Sequence, residues 1–308
     1  MPAYVPQSRS ILACMNPTPR DAVDILFAQM VFTRSDLHES GFSRRTIDAA
    51  VREGRLIRLR RDRYVRPTPP DQVLEAGRLG GRVTCLSLLQ MLGVFVLRVD
   101  AVHIRVDRNR SRFRDHQSKA RLHWSTSTAS PLLHVTTVAE AIRHSVGCQD
   151  PRASVATLDS VLHHRLATRA EIETIFADLP VRYRVLLDLV DSAAESGPET
   201  LMRLILRTLG VSIATQVWIG GVGRVDFVVD GWLIIECDSK QFHEGWDKQV
   251  ADRRRDIAAA RLGYVTVRPL ASDVLYHPEQ VRAAIQDILE SFGAGGRPQF
   301  RKRERCAV

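Results

Sequence analysis

The sequence predicts a multidomain α/β (α+β) protein: an N-terminal winged helix-turn-helix, a mixed α/β middle, and a C-terminal mixed sheet flanked by helices. Three observations carry this. Between residues 33 and 65 the apolar positions recur first at helical and then at strand spacing, in the order helix, tight turn, helix, hairpin. The run Pro67-Thr68-Pro69-Pro70 closes that unit as a linker. Farther along, the apolar runs 225–229 and 232–235 meet at Asp230-Gly231, a hairpin signal, between segments of helical pattern.

In chain order, residues 21–30 carry a helical stripe of Val23, Leu26, Phe27 and Met30. Residues 34–39 form a short helix capped by Thr33, and Gly41-Phe42 make the turn. Ser43 caps a third helix over 44–53, with Gly54 at its C′ position. Strands follow at 56–60 and 63–65 around Arg61-Asp62. The middle segment reads as helices at 73–79, 86–92 and 138–144 with a strand at 102–106, and 107–121 is a polar, basic loop or hairpin. Residues 154–194 are helical, with breaks near Thr168 and Pro180. The last part reads helix 199–209, strands 212–219, 225–229 and 233–238, helix 250–262, strand 265–268, helix 279–292.

This divides the chain into a disordered leader (1–20, with Met15 as an alternative start), a head (21–67), a middle domain (68–147) and a helical connector (148–194). A C-terminal domain (195–293) and a basic tail (294–308) complete it. With 308 residues, 44% hydrophobic and 26% charged, the chain can bury several cores. The net charge of +9, mostly arginine, points to an anionic partner, DNA first; arginine inflated throughout the chain is the competing reading. The cysteines at 14, 85, 148, 237 and 306 include no Cys-x-x-Cys pair, so neither a disulfide framework nor a zinc site is indicated. No apolar run approaches the roughly 18 residues of a membrane span, and a cytoplasmic protein without membrane contact is expected.

In the head, Ile47, Ala50 and Val51 pack inward and leave Arg44, Arg45, Asp48 and Arg52 outward on the reading helix. The wing presents Arg58, Arg60, Arg61 and Arg63 to phosphates. A solvated face of a protein-interaction module is the alternative. The string VFTRSDLHESGFSRRTIDAAVREGRLIRLRRDRYVRP resembles the N-terminal domain of AbiEi-type antitoxins, through Gly41, the helix opening SRR, GRL entering the wing and the closing RYV. That family usually has glycine in the wing turn, where this chain has Asp62-Arg63. The resemblance implies DNA binding and a toxin partner or a homodimer. Beyond the head, His103, Arg105, Arg108, Arg110, Arg112, Arg114 and Arg121 either extend a phosphate-binding surface or form a solvated basic loop.

The C-terminal hairpin carries Asp226, Glu236 and Asp238 at the outer ends of its strands. Three carboxylates there are costly unless something cationic neutralises them, and Mg²⁺ or Mn²⁺ would do so through oxygen ligands. A two-residue turn at Asp230-Gly231 pairs Asp226 with Ile235 and puts Asp226 and Glu236 on opposite faces. A three-residue loop over 229–231, with Gly231 left-handed, pairs Asp226 with Ile234 and puts all three acids on one face, so the metal chemistry requires the odd loop. The alternative is salt bridges from Asp226 and Glu236 to Arg203, Arg254 or Arg255.

The segments SGPETLMRLILRTLG, VDFVVDGWLIIECDSKQFH and DRRRDIAAARLGYVTVRPLASDV, in order over residues 196–291, resemble an uncharacterised family related to very-short-patch-repair endonucleases. The resemblance implies the PD-(D/E)XK, restriction-endonuclease-like fold. It also implies metal or catalytic roles for Glu199, Asp226, Glu236 and Asp238, with His243 near the scissile phosphate. One departure bears on activity: the usual Glu-x-Lys is Glu236-Cys237-Asp238 here, and Lys240 comes two residues late. That leaves His243, Lys240 or a second metal to act in its place. Two functions follow from this reading. One is a Mg²⁺-dependent DNA endonuclease in phage defence or DNA repair; the other is an antitoxin-like regulator whose nuclease fold is inactive.

Overall fold

The computed structural model describes residues 30–108, 119–126, 130, 132–237 and 246–292. The expected leader, the helix over 21–30, Asp238, Lys240, His243 and the basic tail lie outside the described residues, apart from Met30. The fold is mixed α/β, as the sequence predicts, and forms two compact units. One unit runs to Gln149 and includes His164–Arg184; the other takes Asp150–His163 and the chain from Val185.

The first unit begins with β1 (Val31–Phe32), α1 (Arg34–Glu39), α2 (Arg44–Arg52), β2 (Ile57–Arg60) and β3 (Arg63–Val65). Helix α1 starts at Thr33 because a capping box closes both ways: Asp36 N donates to Thr33 Oγ1 at 3.0 Å, and Thr33 N donates to Asp36 Oδ2 at 2.7 Å. Ser43 caps α2 one way only, its Oγ accepting from Thr46 N at 3.2 Å, and α2 stops at Glu53 before Gly54 at φ +70°. The sheet order is β1-β3-β2, antiparallel throughout. Strand β1 escapes sequence pattern because two residues show no period; Val31 and Phe32 take it by pairing with Val65 and Tyr64. Leu37, Ile47, Ala50, Leu56 and Tyr64 form the buried core of this head. Each large apolar side chain so buried contributes about 1.5–3 kcal/mol.

The unit continues with α3 (Asp71–Leu79), β4 (Arg82–Val83), α4 (Cys85–Met91), β5 (His103–Asp107), β6 (Arg121–Ser125) and α5 (Val138–Val146). The wing packs tightly on α3: a Cβ at Gly77 would lie 2.5 Å from Leu59 Cδ1, so no other residue fits there without movement. The second sheet has the order β4-β5-β6, with β4 and β5 antiparallel and β5 and β6 parallel. Because β5 and β6 are parallel, they are not the two arms of a hairpin across 107–121. The unit recruits α7 (Arg169–Ala177), which packs on α5 and is capped by a Thr168–Glu171 capping box.

The second unit takes α6 (Pro151–His163), α8 (Gly197–Thr208), β7 (Ile213–Ile219), β8 (Gly223–Val229), β9 (Leu233–Ile235), α9 (Trp246–Arg261), β10 (Val265–Val267), α10 (Ala271–Tyr276) and α11 (Pro278–Phe292). Its four-stranded mixed sheet has the order β10-β9-β8-β7; β10 runs parallel to β9, and the other neighbours are antiparallel. Ile219, Val222, Val225, Val228 and Ile234 form a buried cluster with Ala259 of α9. In the helical part of this unit, α6 is locked to α8 by a buried ion pair, Arg203 Nη2 to Asp159 Oδ2 at 2.7 Å. Thr200 Oγ1 and Asp191 N complete that carboxylate's donors.

The hairpin loop is odd, as the metal chemistry demanded, but it lies one residue later than expected. Val229 pairs with Leu233, so the loop is Asp230-Gly231-Trp232, with Asp230 at φ +48° and Gly231 at φ +77°. Phe227 faces Ile235, and one step further Asp226 comes opposite Glu236 rather than Ile234. The cause is local: Asp230 turns left-handed and exchanges hydrogen bonds with Ser212, Asp230 N to Ser212 O at 2.9 Å and Ser212 N to Asp230 Oδ1 at 2.8 Å.

Candidate nucleic-acid interface and acidic hairpin site

In the head, α2 is positioned by Ile47 and Ala50, each 1% exposed, so the opposite side of the helix must face outward. Arg44, Arg45, Asp48 and Arg52 are all exposed on it. Along the wing, Arg58, Arg60 and Arg61 are exposed, while Arg63 is half-buried and paired with Asp62 at 3.1 Å. Arg60 Nη1 also donates to Gly80 O at 3.1 Å, which holds it along the rim of the middle segment. Beside this rim is a cleft of about 510 Å³ whose lining includes Arg60, Arg63, Arg82 and Arg105. Guanidinium groups converging on one concavity favour an anion, because each forks onto two oxygens and keeps its charge.

The wing tip is made by Asp62 where the antitoxin resemblance leads one to expect glycine. Asp62 has φ +59°, in the left-handed region that Asp tolerates better than most residues. Its Oδ1 accepts from Arg34 N at 2.7 Å, so the same side chain caps the first turn of α1. The chain thereby replaces glycine's conformational freedom with a tertiary cap.

Residues 21–67 match the family described as a transcriptional regulator, AbiEi antitoxin. The match covers this head and none of the rest. Two uncharacterized proteins of Mycobacterium tuberculosis, one from strain CDC 1551 / Oshkosh and one from strain ATCC 25618 / H37Rv, are each 32% identical over 157 residues. The aligned stretch spans 47% of this chain and 58% of each relative.

Behind the head, His103 and Arg105 are not surface groups: they are 3% and 4% exposed, since β5 is covered on both faces. Arg105 instead pairs with Asp107 at 2.7 Å and reaches the cleft. Of the other basic residues expected on that surface, Arg108 and Arg121 are exposed, and Arg110, Arg112 and Arg114 lie outside the described residues.

At the acidic hairpin, the β8–β9 register carried one step past Phe227 and Ile235 sets Asp226 opposite Glu236. Asp226 Oδ2 accepts from Cys237 N at 2.8 Å. Burial pushes the Asp226 carboxyl up to about 6; the Cys237 amide opposes this, and repulsion from Glu199 and Glu236 adds to it. Glu199, 8% exposed at the start of α8, is held by Ser196 Oγ at 2.7 Å, Glu195 N at 3.0 Å and Gln216 Nε2 at 2.9 Å.

Glu236 is neutralised from within the protein. Arg255 Nη2 takes its Oε1 at 2.8 Å, and Arg268 Nε takes its Oε2 at 2.8 Å. Arg255 is one of the partners the sequence suggests; Arg203 is not used this way, because Asp159 holds it. Arg268 has no signal in the sequence. Only the parallel register of β10 on β9, which puts Val267 beside Ile235, brings Arg268 alongside Glu236. Arg268 also pairs with Asp256 of α9, which extends this network onto the helix.

Sequence spacing gives no zinc signal. Among the described residues, Cys85, His103, His123 and Cys148 bring their donor atoms within 4.8 Å of one another. They come from four separate elements, far outside the roughly two to four residues that separate paired ligands in zinc motifs, so no local pattern marks them.

Proposed function

We propose that this protein is a DNA-binding transcriptional regulator of the AbiEi antitoxin kind, with the winged head as its grip on duplex DNA. The observation that carries the reading is the coincidence of three things on one element pair. Residues 21–67 match the antitoxin regulator family, α2 and the wing stand on a closed apolar core, and six arginines are exposed on those two elements. Phosphate contacts from Arg44, Arg45, Arg58, Arg60 and Arg61 would set register, and Arg52 with Asp48 would lie toward base edges. A regulator of this kind would act in the cytoplasm as a homodimer or with a toxin partner. Selection of bound duplexes from a random library by the full chain tests it. A regulator enriches a defined site, whereas recovery of no duplex above background contradicts the reading.

A second reading, a Mg²⁺- or Mn²⁺-dependent endonuclease of PD-(D/E)XK kind, is favoured by one specific observation. Asp226 and Glu236 stand side by side at the open end of a hairpin in a mixed sheet flanked by helices, with Glu199 close enough to raise the Asp226 pKa. The donor set fits a cation in part. Asp226 is half-buried and Glu199 buried, and a divalent ion would relieve the repulsion between their carboxylates. Glu236 already has both oxygens on guanidinium groups and joins such a set only if Arg255 or Arg268 lets go. Asp226 and Glu199, with Asp238, would hold the ion, which supplies an activated water for phosphodiester hydrolysis. Lys240 and His243 would serve the proton transfers in this reading. Nicking of supercoiled plasmid with Mg²⁺, Mn²⁺ or EDTA tests it: metal-dependent nicking lost in Asp226→Asn supports the nuclease, and no nicking under any condition leaves the regulator alone.

A further inference from the structure

Four soft or borderline ligands converge in the middle of the first unit. Cys85 is the first residue of α4, His103 opens β5, His123 is central in β6, and Cys148 follows the C-cap of α5 at Gly147. His103 Nδ1 and His123 Nε2 are 3.0 Å apart, Cys148 Sγ and His123 Nε2 are 3.8 Å apart, and all four donors lie within 4.8 Å of one another. A tetrahedral zinc ion with Zn–N of about 2.0–2.1 Å and Zn–S of about 2.3 Å sets its ligands about 3.3 Å apart for N···N and about 3.6 Å for N···S. The N···N spacing of 3.0 Å is slightly shorter than its value and the N···S spacing of 3.8 Å slightly longer, so small side-chain adjustments seat the ion.

The alternative is a buried polar cluster satisfied by its own hydrogen bonds. Its chemistry is poor. Thiols are weak donors and acceptors, and two imidazole nitrogens at this distance can share only one proton between them. Cys85 and Cys148 are both free thiols rather than a disulfide. Two thiolates would balance a divalent ion in charge, which suits a site where Cys85 is 0% and His103 is 3% exposed. Neighbouring groups brace the set as an outer shell would. His144 stacks on His123 with ring centroids 4.6 Å apart. Its Nδ1 meets Thr84 Oγ1 at 3.1 Å, and Thr136 Oγ1 donates to that same hydroxyl at 2.9 Å. Ser87 Oγ accepts from the backbone N–H of His103 at 2.9 Å.

We propose that Cys85, His103, His123 and Cys148 bind one zinc ion tetrahedrally. The ion clamps α4, β5, β6 and the end of α5, the framework on which the rim beside the wing is built. Sulfur and imidazole in an S₂N₂ tetrahedron select zinc over hard divalent ions such as Mg²⁺. Four protein ligands leave no open position for substrate, so the role is structural and distinct from the acidic hairpin in the second unit.

Elemental analysis of the full chain, purified under reducing conditions without added metal, tests this. The expected content is about one zinc per chain, falling by about tenfold in Cys148→Ser and in His123→Ala. Because those variants can fail to fold, His123→Cys, which keeps four ligands, is expected to retain zinc. Wild-type protein stripped by chelator and reloaded with Co²⁺ is expected to show tetrahedral visible bands with a thiolate-to-metal charge-transfer band. Three results would overturn the site: wild-type protein with neither zinc nor a tetrahedral cobalt spectrum; equal zinc in wild type and a folded Cys148→Ser, which locates the metal elsewhere; or a Cys85–Cys148 disulfide in peptide maps of protein kept reduced.

Discussion

The backbone N–H of Cys237 donates to Asp226 Oδ2 at 2.8 Å, so a carboxyl that burial pushes up to about 6 is steadied by a neutral donor. Its neighbour Glu236, by contrast, keeps both oxygens on arginines. Two acids on one face are thus in opposite electrostatic situations, and each can be tested separately.

Asp226→Asn is expected to stabilise the protein at pH 7–8 by on the order of 1 kcal/mol, discounted for the partial solvent exposure of the side chain. The folded-state pKa of about 6 lies above the unfolded value of about 3.9. The folded form therefore holds the proton more tightly, and deprotonation costs stability as pH rises through 6. The advantage of Asn is full above about pH 6 and gone below about pH 4. Thermal melts across that range check it; a constant gap between the two proteins would mean that Asp226 titrates normally.

Removing Asp159 from its buried pair leaves Arg203, 3% exposed, with Asp191 at 4.0 Å as its remaining carboxylate partner. Asp159→Ala is expected to cost about 3–5 kcal/mol of stability in the second unit, and Asp159→Leu with Arg203→Met to recover part of it. Urea unfolding of the three proteins gives the answer. A loss below about 1 kcal/mol for the single variant would show that solvent reaches Arg203.

Much of the fold is legible in the sequence because it is written locally. Thr33, Ser43, Gly54 and Pro67 punctuate the head where their side chains and backbone preferences act, and the helix 44–53 ends within one residue of its expected stop. What is not legible depends on partners distant in sequence. Strands β1 and β4 have two residues each and exist only through pairing. The hairpin register moves by one residue because Ser212, on the preceding segment, captures Asp230. Parity survives that shift, which is why Asp226 and Glu236 still share a face. Arg268 beside Glu236 follows from β10–β9 pairing, and the Cys–His cluster from four elements meeting. Neither leaves a spacing signature.

The wing tip gives a third test. Asp62→Ala removes the acceptor for Arg34 N and leaves a left-handed residue without polar help. A loss of about 1–2 kcal/mol is expected. Asp62→Asn should cost less, because it keeps an acceptor and tolerates the conformation. Chemical denaturation ranks the two; equal losses would mean that charge rather than capping is what Asp62 supplies.

Acid should weaken the first unit through His134. Burial, with Arg82 adding repulsion, pushes its pKa down to about 4, below the unfolded value of about 6.5. The unfolded chain takes up the proton first, so this contribution is whole above about pH 6.5 and is lost as pH falls toward 4, by on the order of 3 kcal/mol at most. His134→Gln, which cannot titrate, is expected to flatten the pH dependence of stability in that window. An unchanged slope would assign the acid sensitivity to other groups.

The central claim is that the winged head grips DNA through its exposed arginines, and the salt dependence of binding measures this most directly. Affinity of the full chain for a duplex is titrated over a range of salt concentrations, for wild type and for a variant with Arg44, Arg45, Arg60 and Arg61 replaced by alanine. Each phosphate that no longer has an arginine to neutralise it should reduce the log–log slope by about 0.9, so a drop of about 3 to 4 is expected, with melting behaviour unchanged. An undiminished slope in the folded variant would contradict the account.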